Sequence, residues 1–205
     1  MLRADHTRSR RWVRASLAAI ALCTALTGCV ASAAGPARPR PTCTVGVVGD
    51  SLTIGVVPHL EPALARRECS LAWWDARSGR PTAEGVQALA ARARAGQLPD
   101  VLIVGLGTNA QHRMADFGGH VDEVMRLAGH RQVIWIDLAY EPVRDRLNGL
   151  LAGKASRYPN LHTLEWDRHY WAHPEWQATD RIHATTAGYR GRAELMAGAA
   201  ERVVK

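Results

Sequence analysis

A serine, a histidine and an aspartate stand in two short motifs near opposite ends of the sequence. Ser51 lies in Gly49-Asp50-Ser51-Leu52, and the other two lie in Asp180-Arg181-Ile182-His183. An imidazole can take the proton of a serine hydroxyl while a carboxylate fixes its tautomer and stabilises the imidazolium. Because two residues separate Asp180 from His183, one tight loop can orient both. The motifs favour acyl transfer with Ser51 as nucleophile, although alone Ser51 is equally explained as a helix N-cap.

Two further motifs carry groups that can stabilise an oxyanion. Gly79 follows an apolar run, and a glycine lets the backbone approach a ligand closely. Asn109 ends Gly105-Leu106-Gly107-Thr108-Asn109, and its side-chain amide is a neutral hydrogen-bond donor. Taken separately, each motif is more simply explained as a turn.

Short apolar runs alternate with longer amphipathic stretches, which predicts the elements that position these motifs. Strands are predicted at 43–48, 70–75, 101–105, 132–138 and 161–166, and helices at 52–67, 82–95, 121–128, 143–155 and 185–204. The helix at 143–155 is predicted from an apolar stripe of Val143, Leu147, Leu150, Leu151 and Ala155. Alternating strands and helices indicate an α/β domain, with a parallel sheet covered by helices on both faces. Ligands bind beyond the carboxyl ends of the strands in such folds. Ser51, Gly79 and Asn109 each follow a predicted strand.

Together the motifs resemble the sequence blocks of the SGNH (GDSL-type) hydrolase family. The first block is matched by Gly49-Asp50-Ser51-Leu52, the second by Gly79, the third by Gly107-Thr108-Asn109 and the fifth by Asp180-Arg181-Ile182-His183. The resemblance spans residues 43–204. It implies a flavodoxin-like three-layer α/β/α fold with a five-stranded parallel sheet. It also implies an oxyanion hole made by the N–H groups of Ser51 and Gly79 and the side chain of Asn109.

One position departs from the family pattern, because Ala110 stands where the family often has an aspartate. That aspartate is not a triad member, so the implied chemistry is unchanged and only the local loop structure is open. The chain has no G-x-S-x-G motif, which argues against the α/β-hydrolase nucleophile elbow.

The resemblance implies a serine esterase that acts on acyl or acetyl esters, with O-acetylated envelope glycans as the first substrate to consider. The partner is an ester substrate, which is a small acyl ester, a glycan ester or a lipid. No metal or organic cofactor is required. Two alternatives stay open: an O-acyltransferase with the same Ser51-His183-Asp180 triad, and a non-catalytic envelope-binding module with this fold.

The formal charge of +7 does not indicate a nucleic-acid partner. Residues 1–28 hold five arginines and one aspartate, a net +4, which leaves +3 for residues 29–205. Nucleic-acid binding requires a concentrated basic face. The remaining arginines are scattered among acidic residues.

The N-terminal residues predict export. Residues 1–28 have an arginine-rich start, an apolar run from Ser16 to Leu26 and small residues, as a secretory signal peptide does. Leu26-Thr27-Gly28-Cys29 resembles a lipobox, with Cys29 as the lipidated residue, whereas Ala31-Ser32-Ala33 is an ordinary cleavage site. A retained membrane anchor is a third possibility. Residues 29–42 are rich in Ala and Pro and predict a flexible tether, so residues 43–205 form an extracytoplasmic domain with a lipid anchor or a secreted one.

Cys43 and Cys69 remain for this domain. In an oxidising compartment they predict one disulfide, because both directly precede or begin predicted strands. Two buried free thiols are the alternative.

Several aromatic and basic residues near the motifs allow two interpretations. Tyr170, Trp171 and Trp176 form either a wall for a substrate or a hydrophobic cluster under a loop. Trp73 and Trp74 lie in a predicted strand and are expected in the core. The arginines that flank Gly79, Arg77 and Arg80, either attract an anionic substrate or are solvated charges, and solvated charges are the favoured expectation.

Overall fold

The computed structural model describes residues 41–205. The predicted signal peptide (1–28), lipidation at Cys29 and all but the last two residues of the predicted tether (29–42) lie outside the described residues. Five strands are β1 (Cys43–Gly49), β2 (Cys69–Ala76), β3 (Val101–Gly105), β4 (Gln132–Ile136) and β5 (Leu161–Leu164). Six helices are α1 (Ser51–Ala65), α2 (Thr82–Arg94), α3 (Phe117–Ala128), α4 (Glu141–Ala155), α5 (Trp166–Ala172) and α6 (Thr186–Val204).

The strands form one parallel sheet in the order β2-β1-β3-β4-β5. Successive side chains of a strand point to opposite faces, and both faces of this sheet are covered. Val45 and Val47 pack with α1 and α6 on one face. Val48 packs with α2, α3 and α4 on the other, together with Leu102 and Val104 of β3. The predicted three-layer α/β/α fold with a five-stranded parallel sheet is confirmed.

The predicted elements differ from the structure mainly at the aromatic segment after β5. This segment was expected to continue as a loop, but Trp166–Ala172 forms α5, and β5 ends at Leu164. Trp166 and Tyr170 lie one helical turn apart and are both fully buried, so their burial stabilises a helix of only seven residues.

Two expectations about side-chain burial are wrong. Trp73 packs against the core and donates a hydrogen bond to the carbonyl of Gln97 at 2.8 Å. Trp74 faces the opposite side of the edge strand β2 and is 45% exposed, because neighbouring strand residues point in opposite directions. Leu150 was expected on the apolar stripe of α4, yet it is exposed while Leu147 and Leu151 are buried.

Cys43 and Cys69 are register partners at the first positions of β1 and β2, and the structure joins them in a disulfide. The bridge joins the amino ends of two neighbouring strands, whereas the motifs follow the carboxyl ends. Within residues 41–205, no helix is long and apolar enough to cross a membrane.

Candidate active site

Ser51 is the first residue of α1, directly after β1. The residue before it, Asp50, has an extended backbone (φ −106°, ψ −155°), and its Oδ1 accepts a hydrogen bond from the Leu52 N–H at 3.0 Å. Asp50 therefore caps α1, which removes the alternative in which Ser51 serves as the N-cap. The half-buried Ser51 side chain is free to face the loop that precedes α6.

That loop brings a histidine and a carboxylate to the serine. His183 Nε2 lies 3.0 Å from Ser51 Oγ, and His183 Nδ1 lies 2.7 Å from Asp180 Oδ2. The three side chains thus form one hydrogen-bonded series, in the arrangement that lets an imidazole move a proton to and from a serine.

The loop itself holds Asp180 in place. Its Oδ1 accepts hydrogen bonds from the N–H groups of Ile182 at 3.0 Å and His183 at 2.9 Å. Between them, Arg181 has a left-handed backbone (φ 55°), which closes the tight turn at some conformational cost. The hydrogen bond from His183 and these two backbone N–H groups lower the pKa of Asp180 to about 2. The carboxylate is therefore charged at neutral pH, although 48% of its side chain is exposed.

Gly79 lies in the exposed turn after β2, with a left-handed backbone (φ 67°) that glycine adopts without strain. Asn109, in the turn after β3, donates from Nδ2 to the carbonyl oxygen of Arg80 at 3.3 Å. The structure thus places Asn109 beside the Gly79–Arg80 segment, and both turns follow strands adjacent to β1. Both predicted oxyanion groups lie at the same edge of the sheet as Ser51.

Arg80 is buried rather than solvated, so that expectation is wrong. Its guanidinium donates to the carbonyl of Gly49 at 3.3 Å, to the carbonyl of Asp75 at 2.8 Å and to Asp75 Oδ1 at 2.5 Å. Three donors on one planar group thus join the ends of β1 and β2. Arg77 is exposed as expected and pairs with Glu84.

A buried charged layer lies beneath the nucleophile, and the sequence motifs did not identify it. Asp50 is fully buried, and desolvation raises its pKa, against the opposing effect of the Arg192 charge. Arg192 on α6 is 2% exposed and stacks over the ring of Trp166 at 4.8 Å. Burial lowers the pKa of Arg192 to about 10, so it remains charged at neutral pH. Within residues 41–205, Asp50 Oδ2 and the Nε and Nη1 of Arg192 have no hydrogen-bond partner.

A third charged group of this layer is the partly buried Asp137, directly after β4. Desolvation raises the pKa of Asp137 to about 6, even though its Oδ1 accepts a hydrogen bond from the Asp167 N–H at 2.7 Å. The sequence of α6 contains a signal for the burial of Arg192. Arg192 falls in a series of buried residues at four-residue intervals, with Gly188, Met196 and Ala200.

The aromatic residues before the His183 loop pack mostly with one another. Tyr170 is fully buried, and Trp176 stacks between His173 at 4.1 Å and Trp166 at 6.0 Å. Trp171 and Trp176 are both partly exposed, and the guanidinium of Arg181 lies over the Trp171 ring at 5.0 Å. The hydrophobic cluster is therefore the better interpretation for Tyr170 and Trp176.

No protein-family model matches the chain, and no curated protein matches it. Several solved structures match its fold. The catalytic domain of Streptococcus pneumoniae peptidoglycan O-acetyltransferase A is 17% identical with a TM-score of 0.61, over 78% of this chain and 93% of that domain. A family 3 carbohydrate esterase from Clostridium thermocellum is 14% identical with a TM-score of 0.63, over 75% of this chain and 92% of the esterase.

A G-D-S-L family protein from Desulfitobacterium hafniense is 16% identical with a TM-score of 0.59, over 78% of this chain and 98% of that protein. At these identities the similarity shows a shared fold. It is the three-layer α/β/α fold with a five-stranded parallel sheet that the resemblance of the sequence motifs implied.

Proposed function

We propose that this protein is a serine esterase in which Ser51 is the nucleophile, His183 the general base and acid, and Asp180 the residue that orients His183. The observation that carries the proposal is the hydrogen-bonded series from Ser51 Oγ through the His183 ring to Asp180. A carboxylate with a pKa near 2 is charged at neutral pH, so it stabilises the imidazolium that forms when the serine is deprotonated.

In the acylation step, Ser51 Oγ attacks the ester carbonyl carbon while His183 Nε2 takes the hydroxyl proton. The carbonyl π electrons move to the oxygen and form a tetrahedral oxyanion. When the intermediate collapses, the bond to the alcohol oxygen breaks, and that oxygen receives the proton from His183. The products of this half-reaction are the free alcohol and an acyl-Ser51 ester.

In the deacylation step, water takes the place of the alcohol. His183 Nε2 accepts a proton from water as its oxygen attacks the acyl carbon, and the proton returns to Ser51 Oγ when the acid leaves. The His183 side chain is 39% exposed, which gives water access to the acyl-enzyme and favours hydrolysis.

The oxyanion is stabilised by the N–H groups of Ser51 and Gly79 and the Nδ2 of Asn109. Three features support this assignment: Ser51 begins a helix of 15 residues whose dipole favours negative charge, Gly79 is exposed, and the Asn109 amide lies beside the Gly79–Arg80 segment. Donors that are fixed before reaction stabilise a developing negative charge without reorganisation, which is the role proposed for these three groups.

The proposed substrates are acyl or acetyl esters outside the cytoplasm, with O-acetylated glycans as the first class to test. The Cys43–Cys69 disulfide supports an oxidising compartment. We also propose that residues 1–28 are removed as a signal peptide and that Cys29 is lipidated. Mass spectrometry of the mature N-terminus tests this: a diacylglyceryl Cys29 supports it, and a free N-terminal Ala34 contradicts it.

The first experiment is hydrolysis of p-nitrophenyl esters from acetate to octanoate by the purified protein and by its Ser51→Ala variant. The proposal expects hydrolysis by the wild type and its loss in the variant, with unchanged circular dichroism. Fluorophosphonate labelling is the second readout, because it reports the nucleophile even when no test ester fits. A folded protein that neither hydrolyses nor becomes labelled at Ser51 is not a serine esterase.

Acyl transfer to a sugar hydroxyl is the alternative use of the same groups. It is tested by adding sugar acceptors to the ester assay and following the acyl group by mass spectrometry. Hydrolysis that is unaffected by every acceptor removes the transferase alternative.

A further inference from the structure

A cavity of about 210 Å³ adjoins the proposed oxyanion hole. It lies between the first residues of α2 and the turn that follows β3, and Asn109 is one of its lining residues. A substrate whose carbonyl oxygen meets the Asn109 amide therefore extends a neighbouring group into this cavity. The nature of the lining then determines which group is preferred.

The lining is basic on one side. Among residues 41–205, those that line the cavity include His112, Arg113 and His120 and no carboxylate. The closest acidic group to Arg113 is Asp116, whose Oδ2 lies 3.7 Å from Arg113 Nη1 with both side chains more than half exposed. A pair this exposed neutralises little of the arginine charge in water.

The other side of the cavity is the beginning of α2, where unpaired N–H groups make a helix attractive to anions. The residue at the cap position is Pro81, and within the described part of the chain no side chain caps this helix. Glu84 is the one carboxylate of the first turn, and it is paired with Arg77 and lies outside the lining.

A hydroxyl at this helix end also lacks a partner. Thr82 lines the cavity and is 4% exposed, and its Oγ1 has no hydrogen-bond partner within residues 41–205. The Nδ1 of His120, on the α3 side, is buried without a partner in the same region. Buried polar groups are usually hydrogen-bonded, and these two groups beside the cavity have no partner among the described residues.

We infer that this cavity binds a negatively charged substituent of the substrate, so the preferred ester carries a carboxylate or a phosphate next to the scissile bond. This inference rests on the proposed esterase function and adds the substrate class. The charge can belong to the acyl part, as in a hemiester of a dicarboxylic acid, or to the alcohol, as in an acylated acidic sugar.

Two matched substrate pairs separate these sources. For the alcohol side, 4-acetoxybenzoate is compared with its methyl ester. For the acyl side, the mono-p-nitrophenyl ester of adipic acid is compared with its methyl ester. The measured quantity is the ratio of kcat/KM for the acid to kcat/KM for its methyl ester, after subtraction of the rate with Ser51→Ala. The inference expects a ratio above one for at least one pair.

Ala83→Asp is the decisive variant. Ala83 lines the cavity in the first turn of α2, where a carboxylate favours the helix, so this change places a negative charge in the cavity without threatening the fold. The ratio is expected to fall about tenfold or more, because a like charge replaces an attractive site. Ala83→Asn has the same size without the charge and should keep the wild-type ratio.

Arg113→Gln is expected to lower the ratio about three- to fivefold, as for removal of one exposed charge. Arg94→Gln is the control, because it removes an exposed charge from the opposite end of α2, about 18 Å along the helix from Thr82. Its ratio should not change.

The inference is overturned if both wild-type ratios are one or less, or if Ala83→Asp leaves them unchanged, while the neutral esters are still hydrolysed. Loss of all hydrolysis in the wild type instead contradicts the proposed function. A readout without turnover keeps the two apart: calorimetric titration of Ser51→Ala with 4-acetoxybenzoate and with its methyl ester. The acid should bind more tightly, and Ala83→Asp in the same background should remove the difference.

Discussion

The buried pair of Asp50 and Arg192 can be tested by a double-mutant cycle. Asp50→Asn removes one charge and keeps a residue that caps helices as well as aspartate does. Arg192→Met removes the other charge and keeps much of the apolar contact with the Trp166 ring. Arg192→Met leaves Asp50 without its opposite charge, Asp50→Asn leaves Arg192 with Asp137 as the remaining carboxylate that acts on it, and the double variant removes both members of the pair.

The expected interaction energy follows from burial and Coulomb's law. Both side chains are at most 2% exposed, so salt screening is weak. Two unit charges at ion-pair distance attract by about 4 kcal/mol at an effective dielectric constant of about 20, and charges spaced slightly more widely by about 3 kcal/mol. The sum of the two single-variant losses in unfolding free energy should therefore exceed the double-variant loss by about 3 kcal/mol.

The pH dependence has a defined sign. Burial raises the pKa of Asp50 in the folded protein. The contribution of Asp50 to the free energy of unfolding is therefore greatest at acid pH and falls as the pH rises through the folded-state pKa. Removal of Arg192 takes away the charge that opposes this shift and raises the pKa further. The destabilisation by Arg192→Met should thus be larger at about pH 8 than at about pH 5.

Urea unfolding of the four proteins, followed by circular dichroism at both pH values, measures these differences. Asp137 also titrates in this range, with a pKa of about 6 that Arg192 lowers, so the effect of Arg192→Met in the Asp50→Asn background measures the Asp137 contribution. The pH dependence of Arg192→Met should exceed that contribution when Asp50 is present. Single-variant losses that add to the double-variant loss within about 0.5 kcal/mol would refute the proposed coupling.

Three further predictions concern the triad, the oxyanion hole and the disulfide. Asp180→Asn should lower kcat by about 10⁴ for p-nitrophenyl acetate, because the wrong imidazole tautomer faces Ser51. Since the wild-type carboxylate has a pKa of about 2 and is charged throughout, a loss should be seen at every point of a rate profile from about pH 5 to pH 8. Asn109→Ala should lower kcat about 10²- to 10³-fold with little change in KM in steady-state assays, and a pure KM effect would contradict its role as an oxyanion donor. The double variant Cys43→Ala/Cys69→Ala should lose about 3.5 kcal/mol of unfolding free energy in urea, because the bridge closes a loop with a sequence separation of 26, while kcat stays the same if the fold is intact.

The fold was predictable because its strands are buried on both faces. A continuous apolar run as short as 101–105 is typical of a strand buried on both faces. The alternation of such runs with helices indicates a parallel sheet. The segment after β5 was not predictable in the same way. In Trp166–Ala172 the helix depends on the burial of Trp166 and Tyr170 against α6 and its neighbours, which is a tertiary effect that local spacing does not reveal.

The candidate site was predictable at positions where a residue type has a direct chemical meaning. Ser51, Asp180, His183 and Asn109 follow strands or precede a helix, and the structure brings the first three into hydrogen-bond contact. The capping of α1 was not predictable, because Asp50 and Ser51 are equally good N-cap residues. Only the extended backbone of Asp50 distinguishes them.

Arg192 shows a different limit of sequence interpretation. A charged residue on a helix is usually solvated, and the four-residue spacing that places Arg192 among Gly188, Met196 and Ala200 does not name its partner. The carboxylates that interact with its charge are Asp50 and Asp137, which lie far along the chain, so these interactions exist only once α6 packs against the sheet beside α1. The burial of Arg80 was not predictable for the same reason, because its hydrogen-bond acceptors lie at the ends of two adjacent strands that only the folded sheet brings together.

The buried layer also explains why glycine stands directly before Asp50. The Thr53 side chain turns back from α1 to the ends of β1 and β3, and a Cβ at Gly49 or Gly105 would overlap it. Thr53 is 1% exposed, and its Oγ1 has no partner among residues 41–205, as is also true of Asp50 Oδ2. The two glycines thus let polar groups occupy the space beneath the nucleophile that larger residues would fill. Ser51 is consequently held between a solvent-exposed His183 and a buried charged layer, and the capping of α1 by Asp50 couples that layer to the position of its hydroxyl.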